Sequence, residues 1–290
     1  MKKIIILIPV FNDWDSLKKL INEIEVIVRK LNHHQFNFIV INDGSTVFQP
    51  EINKPKDINF IKIINMKKNR GHTNCIAFGI NYILQNEKFD NLILMDGDGE
   101  DRPQEIENFI IKNLKNPNNS IVAKRVKRSE GKLFKILYQL HKLLTLVFTG
   151  RKINFGNFTF LTKEDLNIIN SKKSLWKSYS GTFKKYLKDY QEIESIRGTR
   201  YFGPSKMSIF KLILHSLSII AVFKYQVFLR STFMVIVLAY LNIYLGNISI
   251  FFQISIVLFN LIIFVVSIEK KKDNVQNSNN NLANIKNISH

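Results

Sequence analysis

Carboxylates recur at three places where a short apolar run ends. Pro9-Val10-Phe11-Asn12-Asp13 closes the first run, Ile41-Asn42-Asp43-Gly44-Ser45 the second, and Met95-Asp96-Gly97-Asp98-Gly99-Glu100-Asp101 the fourth. Asp and Asn form turns readily, so one such cluster is explained by its turn alone. Three at strand ends ask for more. Asp96 and Asp98 are two residues apart, and in an extended segment both side chains then point the same way, toward one hard divalent cation and the phosphates it holds. A metal there neutralises charge building on a diphosphate leaving group. Gly97 and Gly99 allow close backbone approach, but no third glycine opens a helix at the spacing of a dinucleotide fingerprint. A calcium loop is also excluded, because Asp101 occupies the sixth position from Asp96, where the sharp turn requires glycine.

The elements that must carry these residues follow from hydrophobic period. Lys3–Val10, Phe36–Ile41, Asn59–Ile64, Asn91–Met95 and Ser120–Ala123 read as strands. Between them, Leu17, Leu20, Ile21, Ile24, Ile27, Val28 and Leu31 follow helical spacing after Asp15, and Thr73–Leu84 and Pro103–Leu114 read as further helices. Alternating strands and helices predict an open, mainly parallel α/β sheet with its ligands at the carboxyl ends of the strands. The N-terminal Ile4–Ile8 run is read as a buried strand rather than a signal peptide, since Pro9, Asn12, Asp13 and Asp15 follow at once with no small-residue cleavage site.

Beyond the sheet the chain changes character. Gly131–Val147 is a basic amphipathic helix, with Leu133, Ile136, Leu137, Leu140, Leu143, Leu144 and Val147 on one face and Lys132, Lys135, Gln139 and Lys142 on the other. Residues 209–226 form a second interfacial candidate. Residues 227–245 carry one charge, Arg230, and 248–268 carry none, so each is long enough to cross a hydrocarbon core as one arm of a transmembrane hairpin. Lys270-Lys271-Lys272 and the basic region before the hairpin place both ends in the cytosol, giving a multi-pass protein of the cytoplasmic membrane. The Asn-rich stretch 269–290 reads as a disordered tail.

Composition narrows the partners. The 290 residues hold 42 Lys+Arg against 23 Asp+Glu, a formal charge of +19, which calls for an anionic partner such as nucleic acid, a lipid headgroup surface or a phosphorylated substrate. No aromatic-basic nucleic-acid motif is recognisable, so no nucleic-acid partner is expected. A single cysteine, Cys75, excludes an intrachain disulfide and a cysteine metal cluster, and suits a reducing cytosol. Spacing suggests no metal site among the histidines, and His72 reads simply as the start of a helix.

In order and spacing these blocks resemble glycosyltransferase family 2, in the branch around dolichyl-phosphate mannose synthase and bacterial polyprenyl-phosphate glycosyltransferases. Pro9–Asp13, Asn42–Ser45, Asn69-Arg70-Gly71, Asp96-Gly97-Asp98 with Pro103, and Arg197–Ser208 each resemble a block of that branch. The resemblance implies a GT-A catalytic domain over residues 1–208 and an inverting transfer of a sugar from a UDP- or GDP-linked donor to a membrane polyprenyl phosphate. It assigns Pro9, Phe11, Asn12, Asp13, Asp43, Gly71 and Asp96 to the nucleotide-sugar, and Arg125, Arg128, Arg200, Ser205 and Lys206 to acceptor or leaving-group phosphates. Asp96, Asp98 and Arg200 would be catalytic, and Asp96, Asp98 and Glu100 would hold Mg or Mn. Asp13 replaces the usual Glu, Asn42 replaces an Asp, and Asn154 stands roughly where several relatives carry an aspartate proposed as base. Two other readings remain: transfer to a hydroxyl of a lipid-linked saccharide, and a non-catalytic membrane protein binding anionic lipid or nucleic acid. A homo-oligomer is compatible with all three.

Overall fold

The structure is a computed structural model describing residues 1–127, 132–204, 208–269 and 275–288. Arg128, Ser205, Lys206 and the Lys270–Lys272 run lie outside the described residues. The chain forms two compact units, one made of Met1–Ser129, Asn154–Lys206 and Asp273–His290, the other of Glu130–Ile153 and Met207–Lys272.

The first unit is a mixed eight-stranded sheet. Its strands are β1 (Lys2–Val10), β2 (His34–Asn42), β3 (Ile58–Met66), β4 (Asn91–Leu94), β5 (Ser120–Lys127), β6 (Phe155–Thr162), β7 (Tyr190–Ile196) and β8 (Leu282–Ile288), in the order β7-β5-β6-β4-β1-β2-β3-β8. The β4, β1, β2 and β3 pairings are parallel, as is β5 with β7, while β6 runs antiparallel to β4 and β5, and β8 antiparallel to β3. The helices α1 (Trp14–Lys30), α2 (His72–Asn86) and α3 (Glu105–Lys115) connect the parallel part. β1 shows why both faces are covered: Ile4, Ile6 and Ile8 join the core with Leu17, Ile21 and Ile24 of α1 and Phe109 of α3. Leu7 faces the other way, and a Cβ on Gly79 of α2 would come within 2.6 Å of its Cδ1. A strand buried on both faces reads as an unbroken apolar run, which is what Ile4–Ile8 is. The helices α5 (Lys163–Asn170) and α6 (Tyr179–Tyr186) complete this unit between β6 and β7, and Thr162 and Ser178 cap them through their side chains.

The second unit holds α4 (Lys132–Thr149), α7 (Ile209–Ala221), α8 (Lys224–Tyr240), the short α9 (Asn242–Leu245) and α10 (Asn247–Glu269). Phe148, Ile220, Ala221, Val227, Ile263 and Val266 form its core. α10 is long and apolar enough to cross a membrane over Asn247–Ile268, whereas α7 and α8 pass that test only together and are bent by 85° between them. The expected span at 227–245 therefore differs in form: the helix begins at Lys224, ends at Tyr240 and is followed by a separate turn that closes on Gly246 at φ 52°.

Two further expectations are corrected. Residues 269–290 are not wholly disordered, because α11 (Val275–Asn280) and β8 occupy 275–288 and β8 pairs with β3 from Ile61↔Ile288 to Met66↔Leu282. The open edge of β3 supplies the backbone partners that this Asn-rich composition cannot provide for itself. A catalytic domain of residues 1–208 likewise omits that tail and wrongly includes α4, whose Phe148 packs in the second unit.

Candidate active site

The site lies where the carboxyl ends of β1, β2, β3 and β4 meet. β1 leads to Asn12, whose φ of 51° is the one positive value outside glycine among the described residues. Asn tolerates that region because its short amide bonds locally. Here Asn12 Oδ1 accepts the Thr46 amide at 2.8 Å, and the Asn12 amide donates to Ser45 Oγ at 2.9 Å. The β1 and β2 loops are thereby locked together. Pro9 is buried in β1 opposite Ile41, and Phe11 sits half-buried at the turn.

Asp43 is buried at the end of β2, 3% exposed, and anchors the loop after β3. Its two carboxylate oxygens accept the Arg70 amide at 2.8 Å and the Gly71 amide at 2.9 Å. Burial pushes its carboxyl above the ordinary value, against those amides and the Cys75 thiol. Gly71 then starts α2 at φ 93°, a conformation that favours glycine. Its neighbour His72 reaches the next loop, with Nε2 3.2 Å from Asp96 Oδ1.

The loop after β4 is a run of acidic groups, each with its own basic or amide partner. Asp96 is held by His72 and by Asn157 Nδ2, which donates to Asp96 Oδ1 at 3.2 Å and lies 2.8 Å from His72 Nε2. Asp98 Oδ2 accepts from Arg200 Nη1 at 2.7 Å, and the same guanidinium bonds Asp13. Glu100 pairs with Arg197. Asp101, 4% exposed, caps the Asp96 amide at 2.9 Å and lies 3.8 Å from Arg125. Gly99 takes φ +86°, and a Cβ there would come within 2.4 Å of the Tyr201 ring. Gly156 likewise makes room for Arg125, whose Nη2 would be 2.4 Å from an added Cβ.

Electrostatics divides these carboxylates. Burial works against the charge on Asp96, yet His72, Arg125 and Arg197 hold it well below the usual range. Asp98 is pushed up to about 6, first by burial and then by the charges of Asp96 and Glu100. Asp101 rises to about 7, by burial and by Asp96. For His72, burial disfavours the cation but Asp96, Asp98 and Asp43 outweigh it and raise its pKa. A divalent cation set between Asp96 and Asp98 would relieve their mutual repulsion, and these two carboxylates with donor phosphates suffice for an ion that binds through few protein ligands. Glu100 pairs with Arg197 as Asp98 does with Arg200, and no three His, Cys, Asp or Glu side chains converge on a metal position among the described residues.

The expected residues Pro9, Phe11, Asn12, Asp13, Asp43, Gly71, Asp96, Asp98 and Arg200 thus belong to one connected region. Arg125 joins it through Asp101, lying half-buried rather than in a solvated charge run. His72, Asn157 and Arg197 were not foreseen in these roles. Asn157, not Asn154, touches Asp96; the Asn154 carbonyl instead accepts the Arg125 amide at 3.2 Å.

The profile of Glycosyl transferase family 2 matches residues 5–194, which takes in β1 through most of β7 and the β-strand loops just described. Among curated proteins, the undecaprenyl-phosphate 4-deoxy-4-formamido-L-arabinose transferase of Photorhabdus laumondii is 24% identical over 225 residues, or 73% of this chain. The match spans 65% of that relative's length, slightly under two thirds. Among solved structures, glucosyl-3-phosphoglycerate synthase from Mycobacterium tuberculosis, in complex with Mn2+, uridine-diphosphate-glucose and phosphoglyceric acid, aligns with a TM-score of 0.55. Identity there is 13%, over 78% of this chain and 79% of that one. The same enzyme with Mn2+, uridine-diphosphate and glucosyl-3-phosphoglycerate gives a TM-score of 0.51 at 12% identity, over 78% and 80%. At such identities the structural likeness carries the GT-A fold alone. A family match over more than half the sequence carries more, and the chain belongs to glycosyl transferase family 2.

Proposed function

We propose that this glycosyltransferase moves a sugar from a nucleoside-diphosphate donor to a membrane polyprenyl phosphate, with inversion and with the help of Mg or Mn. The observation that carries the reading is the Asp96/Asp98 loop facing the Asp43 loop at the strand ends, with Arg200 joining Asp13 to Asp98. Asp43 orders the Arg70-Gly71 backbone beside the donor nucleotide, UDP- or GDP-linked. Asp96 and Asp98 would hold the ion, which offsets charge on the departing diphosphate. Arg200, held between Asp13 and Asp98, would stabilise charge developing on the leaving group. In the displacement, an acceptor oxygen forms the new bond to the anomeric carbon as the bond to the donor β-phosphate oxygen breaks.

The choice of acceptor rests on proton chemistry. A sugar hydroxyl needs a positioned base during attack, whereas a phosphate monoester, with its second pKa near 6, is already largely ionised. Amides stand at Asn154 and Asn157, and the raised carboxyl of Asp101 is buried and spent on the Asp96 amide. These features favour a phosphate nucleophile steered by cations. Arg125, and Arg128, Ser205 and Lys206 beyond the described residues, are the candidates to receive it. The name of the Photorhabdus relative, undecaprenyl-phosphate 4-deoxy-4-formamido-L-arabinose transferase, pairs a sugar with a polyprenyl phosphate.

Membrane attachment fits the same substrate. Most of α10 outside Ile263 and Val266 is exposed or half-exposed apolar surface, and Leu229, Phe233, Ile236 and Tyr240 of α8 are exposed as well. On α4, Ile136, Leu140 and Leu143 form an exposed stripe at helical spacing, suited to a bilayer surface. β8 follows α10 in sequence yet pairs with β3, which precedes the whole apolar segment. Both flanks of that segment therefore lie on one side of any membrane, which supports an even number of crossings, as in a hairpin; that this side is the cytosol rests on the positive-inside reading alone. Labelled UDP- and GDP-sugars supplied to the purified protein with polyprenyl phosphate and Mn2+ or Mg2+ test the reading, by the appearance of metal-dependent labelled lipid.

A further inference from the structure

The C-terminal tail reaches the donor loops by two routes of hydrogen bonds. Asn281, 5% exposed, clamps Lys68: its Oδ1 accepts the Lys68 amide at 3.0 Å, and its Nδ2 donates to the Lys68 carbonyl at 2.9 Å. Its own carbonyl accepts the Lys67 amide at 2.7 Å. Lys68 in turn supports Gly44, since a Cβ on Gly44 would lie 2.7 Å from the Lys68 carbonyl carbon. Gly44 follows Asp43, and Lys68 stands two residues before Arg70, whose amide Asp43 accepts. The second route crosses the strands. Asn284, Asn65 and Asn42 stand opposite one another in β8, β3 and β2. Asn65 Nδ2 donates to Asn284 Oδ1 at 2.7 Å, Asn42 Nδ2 donates to Asn65 Oδ1 at 2.8 Å, and Asn42 Oδ1 accepts the Ser45 amide at 3.0 Å. Ser45 Oγ then accepts the Asn12 amide.

We infer that Asn281 and Asn284 are positioning residues for donor binding, so that a segment lying after the apolar helices in sequence sets the nucleotide pocket at the opposite end of the chain. The inference rests on the donor reading given above. Both routes end on backbone that surrounds Asp43, so the tail fixes the spacing of the Asn12–Thr46 and Lys68–Gly71 loops before a nucleotide arrives. Preorganisation of this kind lowers the ordering cost of binding. It also gives Asn42 a purpose that an aspartate would not serve: an amide donates to Asn65 while accepting from Ser45, and a carboxylate has no proton to donate. Neither asparagine touches the reacting groups. Loss of either should therefore weaken donor binding and leave the chemical step alone.

The test uses the full-length protein with UDP and GDP as probes, in the presence of Mn2+, by calorimetry. Asn284→Ala and Asn281→Ala are each expected to raise the dissociation constant of whichever nucleotide binds by about three- to tenfold, the size of one or two net hydrogen bonds. Donor KM rises with kcat and acceptor KM unchanged. Asn284 is exposed, so its alanine variant keeps the backbone pairing of β8; Asn284→Asp retains the acceptor for Asn65 and restores wild-type affinity. Asn287→Ala, opposite Lys62 on the same strand and off both routes, binds as wild type. Wild-type protein that binds a nucleotide while the Asn281/Asn284 double alanine variant binds it equally well overturns the inference alone. Wild-type protein that binds neither nucleotide overturns the donor reading and this inference with it.

Discussion

Arg200 donates to Asp98 across 102 residues of sequence, and its second nitrogen bonds Asp13. One guanidinium thus ties the loop after β4 to the loop after β1. Arg200→Ala leaves two mostly buried carboxylates near each other with no cation between them. Activity should fall by about 10²–10³, as when a preorganised donor at developing charge is removed. Arg200→Lys should recover it only in part, since an ammonium cannot fork between two carboxylates. Steady-state rates of both variants, beside their thermal unfolding midpoints, check this.

Asp98→Asn should lose about 10²–10³ in turnover through weakened metal and diphosphate handling while remaining folded. Because burial and like charges raise the Asp98 pKa, the metal-free variant should melt at or above the wild-type temperature at neutral pH. A variant that is inactive because it is unfolded, or one near wild-type activity with metal present, contradicts the assignment.

The same shifts give the metal-free protein a pH signature. The carboxyls of Asp98 and Asp101 are raised in the folded state to about 6 and about 7, above the ordinary 3.8, so between about pH 4 and 7 the folded state binds more protons than the unfolded one. Stability then falls as pH rises through that window. His72, raised above 6.5, works in the same direction near its upper end. Mn2+ with UDP should flatten the decline by stabilising the carboxylate forms. Thermal melts from pH 5 to 8, with and without Mn2+ and UDP, measure both effects; a slope indifferent to Mn2+ counts against Asp96 and Asp98 as its ligands.

The sheet centre was legible because β1, β2, β3 and β4 are apolar runs that need no partner to be recognised. β7 was not, since the apolar Tyr190, Ile193 and Ile196 recur every three residues rather than in a strand's alternation, and β8 was hidden by asparagines that compositionally resemble disorder. The acidic clusters announced themselves by type and position. His72 and Asn157 did not: they meet Asp96 only once α2 and β6 are packed, and Asn157 lies 85 and 61 residues from its two partners. Local spacing carries no trace of such a contact. Glu100 is a similar case, a carboxylate whose partner, Arg197, is 97 residues away and invisible to local spacing.

Membrane attachment predicts that the full-length protein stays in membranes through high-salt and carbonate washes, because a core-spanning helix does not leave as surface helices do. Cys75 is buried, so one cysteine added at either end can be labelled selectively. Both ends should be reached from the same face of sealed vesicles. Labelling from opposite faces contradicts the pairing of β8 with β3.

The most direct measurement supplies purified protein with a labelled nucleotide sugar and Mn2+, offering polyprenyl phosphate in one reaction and a lipid-linked saccharide in another. Metal-dependent label in the polyprenyl phosphate product, absent with Asp98→Asn, is the expected result. Label entering the saccharide alone would contradict the phosphate acceptor.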